Sequence, residues 1–175
     1  VSLCAGTPTR AVSLCAGTPT RAGASWTRST QRWCAFVDPS ATLFAPGAAQ
    51  LGIDLERLIV VRPDFGSIDR VAVRIAEAKL VSVLVIDLRG ALGDVSFDAH
   101  RWQHTVRKLS LIIKQLSTCV LLLTDARDAR SLPLPVALRL ELRRTSREAL
   151  ELCVGKERNG RIAAPRTVNL AAFTH

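Results

Sequence analysis

The sequence contains no Met and no Tyr, and aromatic residues make up only 5% of it. Arg far outnumbers Lys. These biases fit a GC-rich coding sequence rather than a special chemistry. The five Cys, at positions 4, 15, 34, 119 and 153, form no CxxC pair. That spacing argues against a zinc ribbon and against a disulfide framework, and Cys34, Cys119 and Cys153 read as buried free thiols in a reducing cytosol. No apolar run approaches the roughly 20 residues that span a bilayer. The first residues lack a basic segment followed by a long apolar core, so no signal peptide is expected. His100 and His104 have i, i+4 spacing with Asp98 nearby, but a third ligand at suitable spacing is missing. They read as surface residues flanking a buried Trp102, and no metal is expected. The absence of Met at position 1 leads to the expectation that the gene product starts upstream.

What is present is a chain of 175 residues, 48% hydrophobic and 22% charged. That suits one globular domain with a sizeable core. The net charge of +9 favours an anionic partner, nucleic acid first and an acidic protein second. An exact tandem copy opens the chain: VSLCAGTPTRA fills residues 1–11 and again 12–22. One extra copy is too few for a solenoid, so it reads as a recent duplication or an artefact. Residues 23–32 are polar and aperiodic and read as a loop. The expected organisation is a duplicated segment and loop over 1–32, then one domain over 33–175.

Buried strands are expected at 33–38, within 55–63, at 81–86 and at 118–125, each nearly all apolar. Apolar residues at Ile68, Val71, Ile75 and Ala78 predict a helix over 67–80, with Ser67 as N-cap. Trp102, Val106, Leu109, Ile112, Ile113 and Leu116 predict a long helix over 98–116. Alternating strands and helices imply a parallel sheet covered on both faces. The segments 136–144, 149–157 and 167–173 read as half-buried strands that extend the sheet in antiparallel fashion, with 158–161 as a turn. The fold class is therefore α/β, with a mixed, mostly parallel sheet flanked by helices.

Residues 34–64, CAFVDPSATLFAPGAAQLGIDLERLIVVRPD, resemble the RecA stretch in which an acid-bearing strand leads to an LGxD segment and a PD pair. VSVLVIDLRGAL (81–92) resembles the strand of RecA that ends in the Walker B acid. Residues 106–125, 138–144 and 161–165 are similar to RecA segments that follow, in the same order. The resemblance implies a RecA-like core, with Asp87 as the remnant of a nucleotide-site acid. It also shows departures. No G-x-x-x-x-G-K-[ST] loop occurs in the sequence, and such a loop is expected to have lain upstream of Val1, if anywhere. The family's catalytic Glu falls on Ser40, whose hydroxyl cannot act as a general base at neutral pH. The family's phosphate-sensing Gln falls on Asp125, which would repel a γ-phosphate. The segments matching the two DNA-binding loops are short. No ATPase activity and no bound cofactor beyond a vestigial nucleotide site are therefore expected.

SLCAG near the start and the WCAFVDP strand resemble the ImuA-type proteins of damage-induced mutagenesis more closely than RecA itself. That resemblance implies a cytoplasmic adaptor in translesion synthesis whose partners are RecA, an ImuB-like polymerase partner, or both, with DNA and self-association as further options. The alternatives are a SulA-like cell-division inhibitor and a RecA-like ATP-dependent DNA-binding recombinase. The cationic residues Arg139, Arg143, Arg144, Arg147, Lys156, Arg158 and Arg161, with Arg166 beside them, are the candidate surface for nucleic acid or a partner. Three readings of that surface stand side by side: DNA phosphate contact, a protein interface, and a solvated basic face. No aromatic residues are interleaved with the cluster, so base stacking is not indicated.

Overall fold

A computed structural model describes residues 10–16, 33–91, 98–125, 134–158, 160 and 163–169. Eight strands form one sheet: β1 (Arg10–Ala16), β2 (Trp33–Val37), β3 (Leu58–Val61), β4 (Val81–Asp87), β5 (Cys119–Asp125), β6 (Leu138–Arg144), β7 (Ala149–Glu157) and β8 (Arg166–Asn169). Their order is β3-β2-β4-β5-β1-β6-β7-β8. The first four in that order are parallel; β1 is antiparallel to both β5 and β6, and β6, β7 and β8 form antiparallel pairs. The mixed α/β architecture expected from the sequence is the one observed.

The parallel strands form where aliphatic residues run without interruption, because a strand packed on both faces has no solvent side to make polar. Three helices connect them: α1 (Ala45–Gln50), α2 (Ile68–Glu77) and α3 (Ala99–Ile113). The main core brings Ala35, Val37, Leu84, Ile86, Val120 and Leu122 of the sheet against Ile68, Ala72 and Ala76 of α2 and Trp102, Val106, Leu109 and Ile113 of α3. Two ion pairs tie the helices together over this core, Arg101–Asp69 at 2.6 Å and Lys108–Glu77 at 3.0 Å.

Among the described residues, α2 and α3 pack together over one face of the sheet. Strand register places Cys34, Phe36, Val83, Val85, Cys119 and Leu121 on the side away from α2 and α3. Among the described residues the one remaining helix is α1, which has six residues and buries only Ala48. The antiparallel strands continue this face with Leu138, Leu140, Leu142, Leu152 and Val154, all half-buried.

Three local expectations are corrected. Ser67 makes no capping hydrogen bond, because a 3₁₀ turn over Phe65–Ser67 leads straight into α2 and leaves Ser67 with helical dihedrals. The other long helix, α3, is capped by Asp98, which accepts from the backbone N–H of His100 and Arg101 at 2.8 and 3.2 Å. Within the segment read as a duplication, residues 10–16 form β1. The strand expected at 167–173 is observed as Arg166–Asn169; its remaining residues lie outside those described.

Candidate functional site

Parallel strands deliver their C-terminal residues to one edge of the sheet, and ligands of open α/β folds bind along that edge. Val37 of β2 lies beside Ile86 of β4, so the next residues, Asp38 and Asp87, are neighbours there. Both are fully buried. Asp125 ends β5 at the same edge. Two buried carboxylates side by side repel each other and lose their hydration, so they require compensation.

The compensation comes from the chain itself. Asp38 accepts hydrogen bonds from the backbone N–H of Thr42 (2.9 Å) and Leu43 (3.1 Å) and lies 3.3 Å from the Thr42 hydroxyl. Arg62 approaches to 3.7 Å. Burial pushes the Asp38 carboxyl up, but the Thr42 and Leu43 N–H groups, the Thr42 hydroxyl and Arg62 together outweigh it and leave its pKa below the ordinary value. Asp87 is held by Arg89, two residues on. The Arg89 Nε lies 2.8 and 3.1 Å from the two carboxylate oxygens, its Nη2 also pairs with Oδ2, and its backbone N–H donates to Oδ1 at 3.0 Å. These bonds keep the guanidinium more firmly protonated than usual, against the opposing effect of its partial burial. Thr42 joins the two acids: its Oγ1 lies 3.1 Å from Asp87 Oδ2 and accepts from Arg89 Nη2 at 3.1 Å.

Gly90 follows with φ +80, a left-handed conformation that suits glycine, and turns the chain back over the site. The Ser40 hydroxyl donates to the Arg89 carbonyl at 3.3 Å. Ser40 therefore sits at the site, as its sequence position implies, and serves as a brace for the Arg89 turn. Arg89 was missed by the sequence reading. Strand alternation could not have signalled it, because Arg89 lies in the Leu88–Ala91 turn, closed by the Ala91 N–H donating to the Leu88 carbonyl at 3.1 Å. Asp125 also contributes to the field that Arg89 feels.

Chemically, the site is a charge-neutralised acid pair. The Asp87 carboxylate faces a guanidinium in a forked ion pair. Among the described residues no group of three His, Cys, Asp or Glu is placed to hold a metal ion.

The basic residues of the C-terminal strands do not form one cluster. Arg139 and Arg143 share a face of β6, but Glu141 lies between them. Arg139 sits opposite Lys156 across the ladder, and Arg143 opposite Glu151. Five residues separate Arg139 from Arg144, about 17 Å of strand. Arg139, Lys156 and Arg158 thus gather at one end of the β6–β7 hairpin, and Arg143, Arg144 and Arg147 at the other. Arg144 is committed to the turn, donating to the carbonyls of Ser146 at 3.0 Å and Arg147 at 2.8 Å. Arg166 lies across from Leu152 on β8. Arg161 lies outside the described residues. The rings of His100 and His104 on α3 are neighbours, with centroids 5.5 Å apart and planes tilted by 46°.

No protein-family model matches the chain. Curated relatives do. The chain is 31% identical over 108 residues to the protein RecA of Campylobacter hominis, covering 54% of this chain. It is 31% identical over 107 residues to RecA of Nitratiruptor sp., covering 53%. It is 28% identical over 107 residues to RecA of Campylobacter lari, covering 54%. The chain is RecA-like. It spans about a third of the length of these relatives, 31% in each case. No helix of the described residues is long and apolar enough to cross a membrane.

Proposed function

We propose that the chain is a non-catalytic RecA-like adaptor of the ImuA type, acting in the cytoplasm in damage-induced translesion DNA synthesis. Its partners would be RecA, an ImuB-like polymerase partner, or both. The observation that carries this reading is the Arg89–Asp87 fork. A nucleotide-hydrolysing centre needs its strand-end acid open to a hydrated cation and a base poised for water. Here the acid is engaged by a guanidinium, and Ser40, which stands where the base would be, braces the turn that carries that guanidinium. A fold that keeps the sheet and fills the centre with internal bonds is suited to presenting surfaces.

The relatives favour a second reading, that the chain is part of an ATP-dependent, DNA-binding recombinase. Two measurements separate them. A pull-down should retain RecA or an ImuB-like protein, and not the tubulin-like division protein that a SulA-like inhibitor would bind. Phosphate release, with and without single-stranded DNA, should stay at background. Turnover that vanishes in Asp87→Ala would overturn the adaptor reading in favour of the recombinase.

A further inference from the structure

We propose that the outer face of α2 and α3 docks an acidic amphipathic helix of another protein, which covers Leu111 and Leu80 and pairs with the cations around them. The inference stands apart from the adaptor reading, since it concerns the chemistry of a partner and not an activity. The two helices lie side by side over the core and run in the same direction: Asp69 pairs with Arg101 near their starts, and Glu77 with Lys108 further along. From Asp69 to Glu77 is about 12 Å of helix. The seam between the helices therefore runs for at least two turns, with Val73 and Ile112 half-buried on either side of it.

The charge on this face is one-sided. α2 and α3 contain two carboxylates, Asp69 and Glu77, and Arg101 and Lys108 take both. Asp98, ahead of α3, is spent on capping it. Arg70, Arg74 and Arg107 remain, with Lys79 and Lys114 just past the helix ends, all exposed and without an ion pair among the described residues. The β6–β7 strands differ, because there Arg143 faces Glu151 and Glu141 stands between Arg139 and Arg143. A surface left with one sign of charge attracts the other.

The exposed leucines decide the class of partner. Leu111 is 63% exposed and Leu80 70%. Leu111 follows Lys108 by three residues and Leu80 follows Glu77 by three. Both therefore lie beyond the Lys108–Glu77 bridge, toward the edge where Val81 and Cys119 begin their strands. An apolar centre inside a charged rim is the anatomy of a protein–protein contact. A nucleic-acid backbone offers an even row of phosphates and nothing that gains from covering two leucines. Of the anionic partners that a net charge of +9 favours, the acidic protein is the one that fits this face. The recognition mode is a helix laid along the seam. Its apolar stripe, repeating every three to four residues, meets Leu111, Leu80 and the half-buried Val73. Its flanking carboxylates meet Arg74, Arg107 and Lys114.

A fluorescence-anisotropy titration on the full chain tests this. The probe is a labelled helical peptide of about four turns, with Leu along one stripe and Glu on both flanks. It should bind with a micromolar Kd that weakens as salt rises. The same peptide with Lys in place of Glu, or with Ser in place of Leu, should bind at least about tenfold more weakly. In the protein, Arg107→Glu with Lys114→Glu should lower affinity at least about tenfold, and Leu111→Ser by about tenfold. These positions are exposed, so the urea midpoint of each variant should stay at that of the parent. Arg143→Glu with Arg147→Glu, at the β6–β7 turn, should leave peptide affinity unchanged. The proposal is overturned if the acidic peptide does not bind, if Leu111→Ser has no effect, or if the β6–β7 pair of substitutions weakens binding as much as the α3 pair. It is also overturned if a single-stranded oligonucleotide binds more tightly than the peptide and loses that binding in Arg107→Glu with Lys114→Glu, which would make this a nucleic-acid face.

Discussion

The two halves of the sheet are built on different terms. In the parallel half, β2, β4 and β5 bury one face completely under α2 and α3, with Val37, Leu84, Ile86, Val120 and Leu122 at or near zero exposure. In the antiparallel half, β6 and β7 carry no fully buried residue: their leucines are half-buried, and Arg139, Glu141 and Arg143 alternate with them. The first half has its polar groups at the strand ends, where Asp38, Asp87, Thr42 and Arg89 satisfy one another. The second has charge along the strands. One half is organised around a core and a closed site; the other presents surface.

The largest expected differences lie in packing. Leu84→Ala empties a fully buried position and should cost about 3–4 kcal/mol, within the usual range for a core leucine. Leu140→Ala, half-buried on β6, should cost about 1 kcal/mol, since much of its surface is already wet. Urea denaturation of the two variants measures the contrast directly. Equal losses would mean that the antiparallel half is covered as well as the parallel half.

Next is the closed site. Arg89→Met leaves Asp87 buried without its cation. Breaking a buried ion pair from one side costs about 3–5 kcal/mol, and the 27% exposure of the Arg89 side chain places this case near the low end, at roughly 3 kcal/mol. Adding Asp87→Asn should recover much of the loss, because no uncompensated charge then remains. A double substitution as unstable as Arg89→Met would show that Arg89 acts through packing instead.

The same contrast explains what was legible in the sequence. The parallel strands were readable because burial on both faces leaves uninterrupted aliphatic runs, as at Val83–Ile86, and Ala149–Glu157 was readable from its flanking turns. β1 was not, because its residues looked like the product of a repeat and strand pairing is a non-local property. α1 was missed because Pro46 and Gly47 stand in its six residues. At the site, the Arg89 fork depends on the turn at Gly90, which periodicity does not reveal. The basic residues were read as one cluster because proximity in sequence hides the two ends of a hairpin.

Acid should probe the site more gently. The Asp38 pKa is below its ordinary value of 3.8, so the folded state binds this proton less readily than the unfolded state does. The stability this contributes is fully present above the ordinary value and is lost as pH falls through the lowered one. Asp38→Asn should therefore flatten the acid limb of the stability profile, by losing that contribution above the ordinary value and approaching the parent at low pH. A variant whose acid limb matches that of the parent would assign acid sensitivity to other carboxylates.

The smallest effect on stability, and the most informative about the antiparallel half, concerns its arginines. Arg143 and Arg147 are exposed, and each change to Ala should alter stability by less than about 0.5 kcal/mol. If this end of the hairpin meets DNA, binding should be weak, independent of sequence and steeply reduced by salt, because released counterions drive it. Arg143 faces Glu151 across the ladder, and Arg144 spends two donors on the turn. Replacing Arg143, Arg144 and Arg147 together should therefore lower the salt slope by closer to one or two phosphate contacts than to three. Arg144→Ala alone should loosen the turn and leave the slope nearly unchanged, while Arg147→Ala should lower it. A gel shift across a salt series reads these slopes. No complex at low salt would assign the charge to a protein partner, and an unchanged slope in the triple variant would make the arginines a solvated face.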